Sequence, residues 1–118
     1  MQKNESAMNA KEIVISFLES LNDRDFKSAR SYVSDDFSFT SPPGSADSAE
    51  TYFKGVEQQQ LKFDIKKIFT DGNDVCVFND VIAGPITLLA SGWYHVEDQK
   101  MRSLKLVYDP RPLLQKRQ

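Results

Sequence analysis

The sequence predicts an α+β domain, with helices gathered in the first half and strands in the second. Three observations carry this. Amphipathic helical stripes lie within residues 9–21 and 49–56, with a shorter helix between them. Four strand-like runs separated by Gly- and Asp-rich turns fill residues 61–108. No helical pattern interrupts those four runs, so they join as an antiparallel meander and not as parallel βαβ units.

Residues 1–8 read as a polar lead-in. Asn9 is a good N-cap, and Glu12 three residues later completes a capping box. Ile13, Val14, Phe17, Leu18 and Leu21 follow as one apolar stripe, broken by Asn22-Asp23-Arg24-Asp25. A short second helix is expected to turn Phe26, Ala29, Tyr32 and Val33 inward. Asp36–Ser41 alternates Phe37 and Phe39 with Ser38 and Thr40, the pattern of a strand, and Pro42-Pro43-Gly44 stops it. Asp47 with Glu50 repeats the capping-box spacing before a third helix, whose stripe is Ala49, Tyr52, Phe53 and Val56.

Leu61, Phe63 and Ile65 alternate along the next strand, and the shift of phase at Ile68 and Phe69 predicts a bulge near Lys66-Lys67. Asp71-Gly72-Asn73-Asp74 is a hairpin turn leading into Val75–Ile82. Ala83-Gly84-Pro85 turns the chain into Ile86–Val96, and Glu97-Asp98-Gln99 turns it again into Met101–Tyr108. The tail Asp109–Gln118 holds two prolines, and Leu113 and Leu114 are candidates to dock it.

The strand Ile86–Val96 presents Thr87, Leu89, Ser91, Trp93 and His95 on one face and Ile86, Leu88, Ala90, Tyr94 and Val96 on the other. Neither face is polar, so both should be covered. The helices cover one; a second copy of the chain, sheet face to sheet face in a two-fold homodimer, would cover the other. Gly92 has no side chain to pack and is expected to mark a bulge or bend where the sheet curls around a pocket.

At 118 residues, 40% hydrophobic and 27% charged, the chain has the size and composition of a single domain, residues 1–118. A net charge of −2 argues against nucleic acid as the main partner. Lys62, Lys66 and Lys67 form the internal basic cluster and read as charges on an edge strand. The single cysteine, Cys76, excludes an internal disulfide and sits in an apolar run as a buried thiol would. No apolar run approaches the roughly 20 residues of a membrane helix. Met1–Ala10 lacks the basic start and apolar stretch of a secretion signal, so the expected location is the cytoplasm. With one histidine and one cysteine no metal-ligand spacing exists, and no phosphate loop or dinucleotide fingerprint occurs. Neither a metal nor a cofactor is expected.

Three segments together resemble a known superfamily: Phe17-Leu18-Glu19-Ser20-Leu21-Asn22-Asp23-Arg24-Asp25, then Tyr32-Val33-Ser34-Asp35-Asp36-Phe37, then the closing strand Lys100–Tyr108. Their order is similar to that of the nuclear transport factor 2-like superfamily, in particular its SnoaL-like (polyketide-cyclase-like) branch, over residues 10–108. The resemblance implies a cystatin-like cone, three N-terminal helices packed on a curved, mostly antiparallel sheet, with a pocket between them. Members of the superfamily include ketosteroid isomerases, scytalone dehydratase, polyketide cyclases and limonene epoxide hydrolases; others bind proteins. Fold alone therefore leaves the function open.

The ketosteroid isomerase machinery is a carboxylate base with a tyrosine and a protonated aspartate as oxyanion hole. By pattern, those positions fall on Ser41, Phe17 and Ser91 here, so none of the three groups is kept. Scytalone dehydratase uses a histidine pair, and this chain has His95 alone. Of the arginine flanked by two aspartates in limonene epoxide hydrolases, Arg102 and Asp80 offer at most a part.

The candidate catalytic residues are Asp80, a carboxylate inside an apolar strand, and His95, whose imidazole titrates near neutrality. The bland readings are a solvated strand-end aspartate and a half-exposed structural histidine. Tyr32, Ser41, Tyr52, Ser91, Trp93, Arg102 and Tyr108 are the candidate ligand-binding residues, as walls or hydrogen-bonding groups. Core packing with a wet tip is the competing reading for each tyrosine and for Trp93. The expectation is a protein that binds a small apolar, ring-containing molecule, with cofactor-free acid–base chemistry as the form any catalysis would take. The alternatives are a non-catalytic ligand-binding module and a protein-interaction module; in the last of these the pocket should be small or plugged and an apolar patch left exposed.

Overall fold

A computed structural model describes residues 8–112 apart from Pro43 and Asp47, with the backbone alone described at Ala46. The expected tail contacts of Leu113 and Leu114 lie outside the described residues, as does the capping role expected of Asp47.

The elements run α1 (Ala10–Asn22), α2 (Phe26–Ser31), β1 (Val33–Ser41), β2 (Gly44–Ala46), α3 (Ala49–Gln59), β3 (Lys62–Asp71), β4 (Asp74–Ala83), β5 (Ile86–Glu97) and β6 (Lys100–Tyr108). The capping box that opens α1 is present: the Asn9 side chain accepts from the Glu12 N–H, and the Glu12 carboxylate accepts from the Asn9 N–H. All five residues of the predicted α1 stripe are buried. For α3 the cap is Ser48, whose hydroxyl accepts from the Thr51 N–H, one residue later than the sequence pattern placed it. Any of Ser, Asp or Asn serves as an N-cap, so adjacent candidates compete and only the backbone path chooses between them.

The strands form one six-stranded sheet in the order β2-β1-β6-β5-β4-β3. The meander β3–β6 is antiparallel throughout, while β1 lies parallel to β6. Strand β2 was not apparent in the sequence, nor was the start of β1 at Val33 rather than Asp36. The predicted bulge is real: the β3–β4 register shifts between Ile65 and Lys67. A second shift lies between His95 and Val96, opposite Arg102 on β6. Gly92 is not at a bulge, for the ladder runs through it without interruption on both sides.

The core lies between the helices and the inner face of the sheet. Phe17 of α1 sits at its centre, with ring centroids 6.3 Å from Tyr52, 6.0 Å from Phe53 and 6.5 Å from Tyr94. Val75, Val77, Tyr94, Val96, Met101 and Leu104 face it from the sheet, all buried. The edge strand β3 is fastened to α1 by Asn22, whose amide donates to the Phe63 carbonyl (2.7 Å) and accepts from the Phe63 N–H (2.8 Å). Lys62, Lys66 and Lys67 are all exposed on this edge strand. Among the described residues, no helix is long and apolar enough to cross a membrane.

Candidate functional site

Between α3 and the inner face of the sheet lies a cavity of about 390 Å³. Its depth is formed by Tyr52 and Val56 of α3, Asn79 of β4, Tyr94 of β5 and Leu104 of β6, all buried. Phe39, Leu61, Phe63, Val81 and Leu106 add apolar walls. The mouth is polar, with Ser41, Ser45, Thr51 and Gln59 around it. Among the described residues, the lining holds no carboxylate, imidazole, ammonium or guanidinium group. Burial raises the Tyr52 and Tyr94 phenols well above their usual range, so both keep their protons at neutral pH. Tyr108 is raised as well, again by burial, with the Ser41 hydroxyl acting in the opposite direction.

The shape of the cavity depends on Gly92. A β-carbon there would stand 2.9 Å from Tyr94 Cε1, 3.2 Å from Leu104 Cδ1 and 3.4 Å from Tyr94 Cζ. The Tyr94 ring is thus folded back along β5 over Gly92, which brings its phenol end toward Ala90. Ala90 pairs with Asn79 across the ladder.

Strand parity divides the sequence-predicted residues between two faces. Ser41, Tyr52 and Tyr108 line the cavity. Trp93, Ser91, His95 and Asp80 face away from it, because inward Val75, Val77, Asn79 and Val81 on β4 and Ala90, Gly92, Tyr94 and Val96 on β5 leave the alternate positions outside. The wall roles expected of Trp93 and Ser91 are corrected accordingly, as is a shared place in the pocket for Asp80 and His95. Ser91 instead lies 3.3 Å from the Cys76 sulfur on that outer face. Asp80 pairs with Lys66 at 3.6 Å, an ion pair on the outer face that accounts for a carboxylate in an otherwise apolar strand. Tyr32 caps α2, where its carbonyl accepts from the Met101 N–H, and does not line the cavity. Arg102 sits at the bulge in β6 and does not line the cavity.

The outer face has its own polar cluster. Asp74 accepts from Trp93 Nε1 at 2.8 Å and lies 2.9 Å from His95 Nδ1, while His95 Nε2 lies 2.9 Å from Glu97. A neutral imidazole has one N–H, so carboxylates at both nitrogens favour the doubly protonated ring. Glu97 and Asp74 accordingly raise the pKa of His95, and the Trp93 and His95 hydrogen bonds lower that of Asp74. Glu97 continues to Arg102 at 3.6 Å and Arg102 to Asp36 at 3.2 Å. Lys105 lies 4.9 Å from the Trp93 ring centre. These are the contacts of a surface ion-pair network, remote from the cavity.

Sequence reasoning missed Asn79. The signal was present: Val75, Val77 and Val81 share its parity, so the inward face of β4 reads valine, valine, asparagine, valine. The other face carries Cys76 and Phe78, equally apolar, and nothing in the strand marked which was inside.

A helix-backed, curved sheet closing over an apolar cavity with a polar mouth defines a protein of the nuclear transport factor 2-like, cystatin-fold class. Within that class the chain belongs to the SnoaL-like domain family, whose pattern it matches over residues 14–104. It is similar to a nuclear transport factor 2-like protein of unknown function from Cytophaga hutchinsonii, at 33% identity over 92% of this chain and 97% of that one, with a TM-score of 0.89. The fold is also that of an epoxide hydrolase of the limonene epoxide hydrolase-like type from M. tuberculosis (20% identity, 90% of this chain and 86% of that one, TM-score 0.74). TerC, co-crystallised with polyporic acid, shares it too (15% identity, 90% and 95% covered, TM-score 0.77). No curated protein sequence matches the chain.

Proposed function

We propose that the protein binds a small, uncharged, largely apolar molecule in the cavity between α3 and the sheet, and that it acts by binding and not by turnover. The observation that carries this is the lining itself: apolar walls, a polar mouth, and no ionisable group among the described residues except phenols held in their neutral form. A carboxylate or imidazole base would have to reach the ligand from inside, and Asp80 and His95 stand on the opposite face of the sheet. The volume lies at the small end of ligand pockets, roughly 300–1,000 Å³, which favours a compact one- or two-ring guest and speaks against a plugged protein-interaction variant of the fold. That an epoxide hydrolase and a polyporic-acid complex share the fold supports a small-molecule guest in such a cavity.

Calorimetric titration with tetralin, its carboxylate and its ammonium derivative tests the reading. The neutral hydrocarbon should bind at least about tenfold more tightly than either ion, because neither charge finds a partner in the cavity. Tighter binding of the carboxylate or the ammonium would overturn it.

The same reading includes a two-fold homodimer through the outer sheet face. Ladder partners place Phe69, Cys76, Trp93 and Lys105 in one row across that face, and Lys67, Phe78, Ser91 and Val107 in the next. Leu89 (63% exposed), Trp93 (51%) and Val107 (66%) leave a contiguous apolar strip open in the single chain. Light scattering at micromolar concentration should give twice the chain mass; a single-chain mass would remove the dimer and leave the cavity reading intact.

A further inference from the structure

Among the described residues, Asn79 is the one buried side-chain amide that lines the cavity. It is 2% exposed and lines the cavity, and among the described residues its side chain makes no hydrogen bond. An amide confined in apolar surroundings is costly unless something pairs with it. Tyr52 (9% exposed) and Tyr94 (3%) line the same cavity, and their hydroxyls likewise make no hydrogen bond among the described residues. Gly92 directs the Tyr94 phenol toward the half of β5 that faces Asn79. Three sets of N–H or O–H donors therefore share one largely apolar space, with the Asn79 amide oxygen and the phenol oxygens as the acceptors among them.

We infer that Asn79 is the polar anchor of the cavity, and that the guest is an uncharged apolar compound carrying a carbonyl whose oxygen accepts from the Asn79 amide and the Tyr94 hydroxyl. This rests on the neutral-guest reading above. A carbonyl accepts from two donors without bringing a further donor into a site already rich in them. Asn79, on β4, is none of the three positions at which the isomerase resemblance placed catalytic groups (Phe17, Ser41 and Ser91).

The test compares α-tetralone, α-tetralol and tetralin, which share one ring frame and differ at one carbon. Wild type should bind the ketone about tenfold more tightly than the hydrocarbon, the worth of one good hydrogen bond in a desolvated site. The alcohol should fall between them. Asn79→Leu should bind ketone and hydrocarbon equally, and its Tm without guest should equal or exceed that of wild type, since an unpartnered amide is replaced by an apolar side chain. A lowered Tm would mean that the amide serves the fold, and would overturn the assignment. Independently, Tyr94→Phe, which removes one oxygen, should narrow the ketone preference and leave tetralin binding unchanged; an unchanged ketone preference would remove Tyr94 from the anchor. Equal binding of ketone and hydrocarbon by wild type, or tighter binding of the alcohol, overturns the anchor and leaves the neutral cavity standing. Failure of all three neutral compounds to bind removes the cavity reading itself, and the anchor with it.

Discussion

Replacing Gly92 by alanine puts one methyl group where the Tyr94 ring now lies. The new carbon would meet Cε1 at 2.9 Å and Cζ at 3.4 Å, both rigid ring atoms, and Leu104 Cδ1 at 3.2 Å. The ring cannot retreat freely, because its other neighbours include Phe17, with centroids 6.5 Å apart, in the buried core. Inserting a methyl into a packed core costs about 1–3 kcal/mol, while replacing glycine by alanine within a regular element returns about 0.5–1 kcal/mol. The net expectation is a loss of about 1–2 kcal/mol. With an unfolding entropy of about 2.1 cal/mol/K per residue, a chain of 118 residues has about 0.25 kcal/mol/K, so the Tm should fall by about 4–8 °C. Thermal unfolding followed by circular dichroism measures this. The cause is isolated by repeating the substitution in a Tyr94→Ala background, where the ring is absent and the penalty should shrink to what the Leu104 contact leaves. A Gly92→Ala protein as stable as wild type, or an equal penalty in both backgrounds, would refute the folded-back ring and the cavity shape that follows from it.

Three further outcomes are expected. Asn22→Ala removes both side-chain hydrogen bonds to the Phe63 backbone and leaves that part-buried peptide unpaired, which should cost about 1–2 kcal/mol and raise hydrogen exchange along β3. The raised pKa of His95 adds stability that is complete below its unfolded value of about 6.5 and is lost as pH rises through the folded value. Asp74, lowered, adds stability that is present above its unfolded value and lost as pH falls through the folded one. Tm should therefore decline as pH rises above about 6.5 in wild type, and this decline should flatten in His95→Gln; an unchanged slope would exclude the Asp74–His95–Glu97 cluster as its source. Trp93→Glu should convert a light-scattering dimer into a monomer while preserving tetralin binding, because Trp93 is outside the cavity.

Much of this fold is written locally. The α1 stripe, its capping box, the Gly72-Asn73 turn and the bulge beside Lys66 follow from spacing and turn chemistry, and all are present. What spacing does not carry is the pairing of distant segments. The three-residue β2, the parallel contact of β1 with β6 and the choice of Ser48 as cap depend on where the chain returns in space. The site divides in the same way. Ser41, Tyr52 and Tyr108 line the cavity, and a polar atom beside apolar neighbours is visible in sequence. Trp93, His95 and Asp80 were drawn toward the pocket because both faces of β4 and β5 are apolar, so the period of two fixed their grouping but not their direction. Gly92 shows the same limit: its missing β-carbon was legible as a sign of something close by, and the close object is the Tyr94 ring instead of a break in the ladder.

The central claim is that a neutral guest enters the inner cavity and leaves the outer sheet face untouched. Nuclear magnetic resonance titration of isotope-labelled protein with α-tetralone tests it most directly. The account predicts shifts concentrated at the Asn79 side-chain amide, the Leu104 methyls and the Tyr52 and Tyr94 rings. Shifts confined to the Trp93 indole and the Leu89 and Val107 methyls would contradict it.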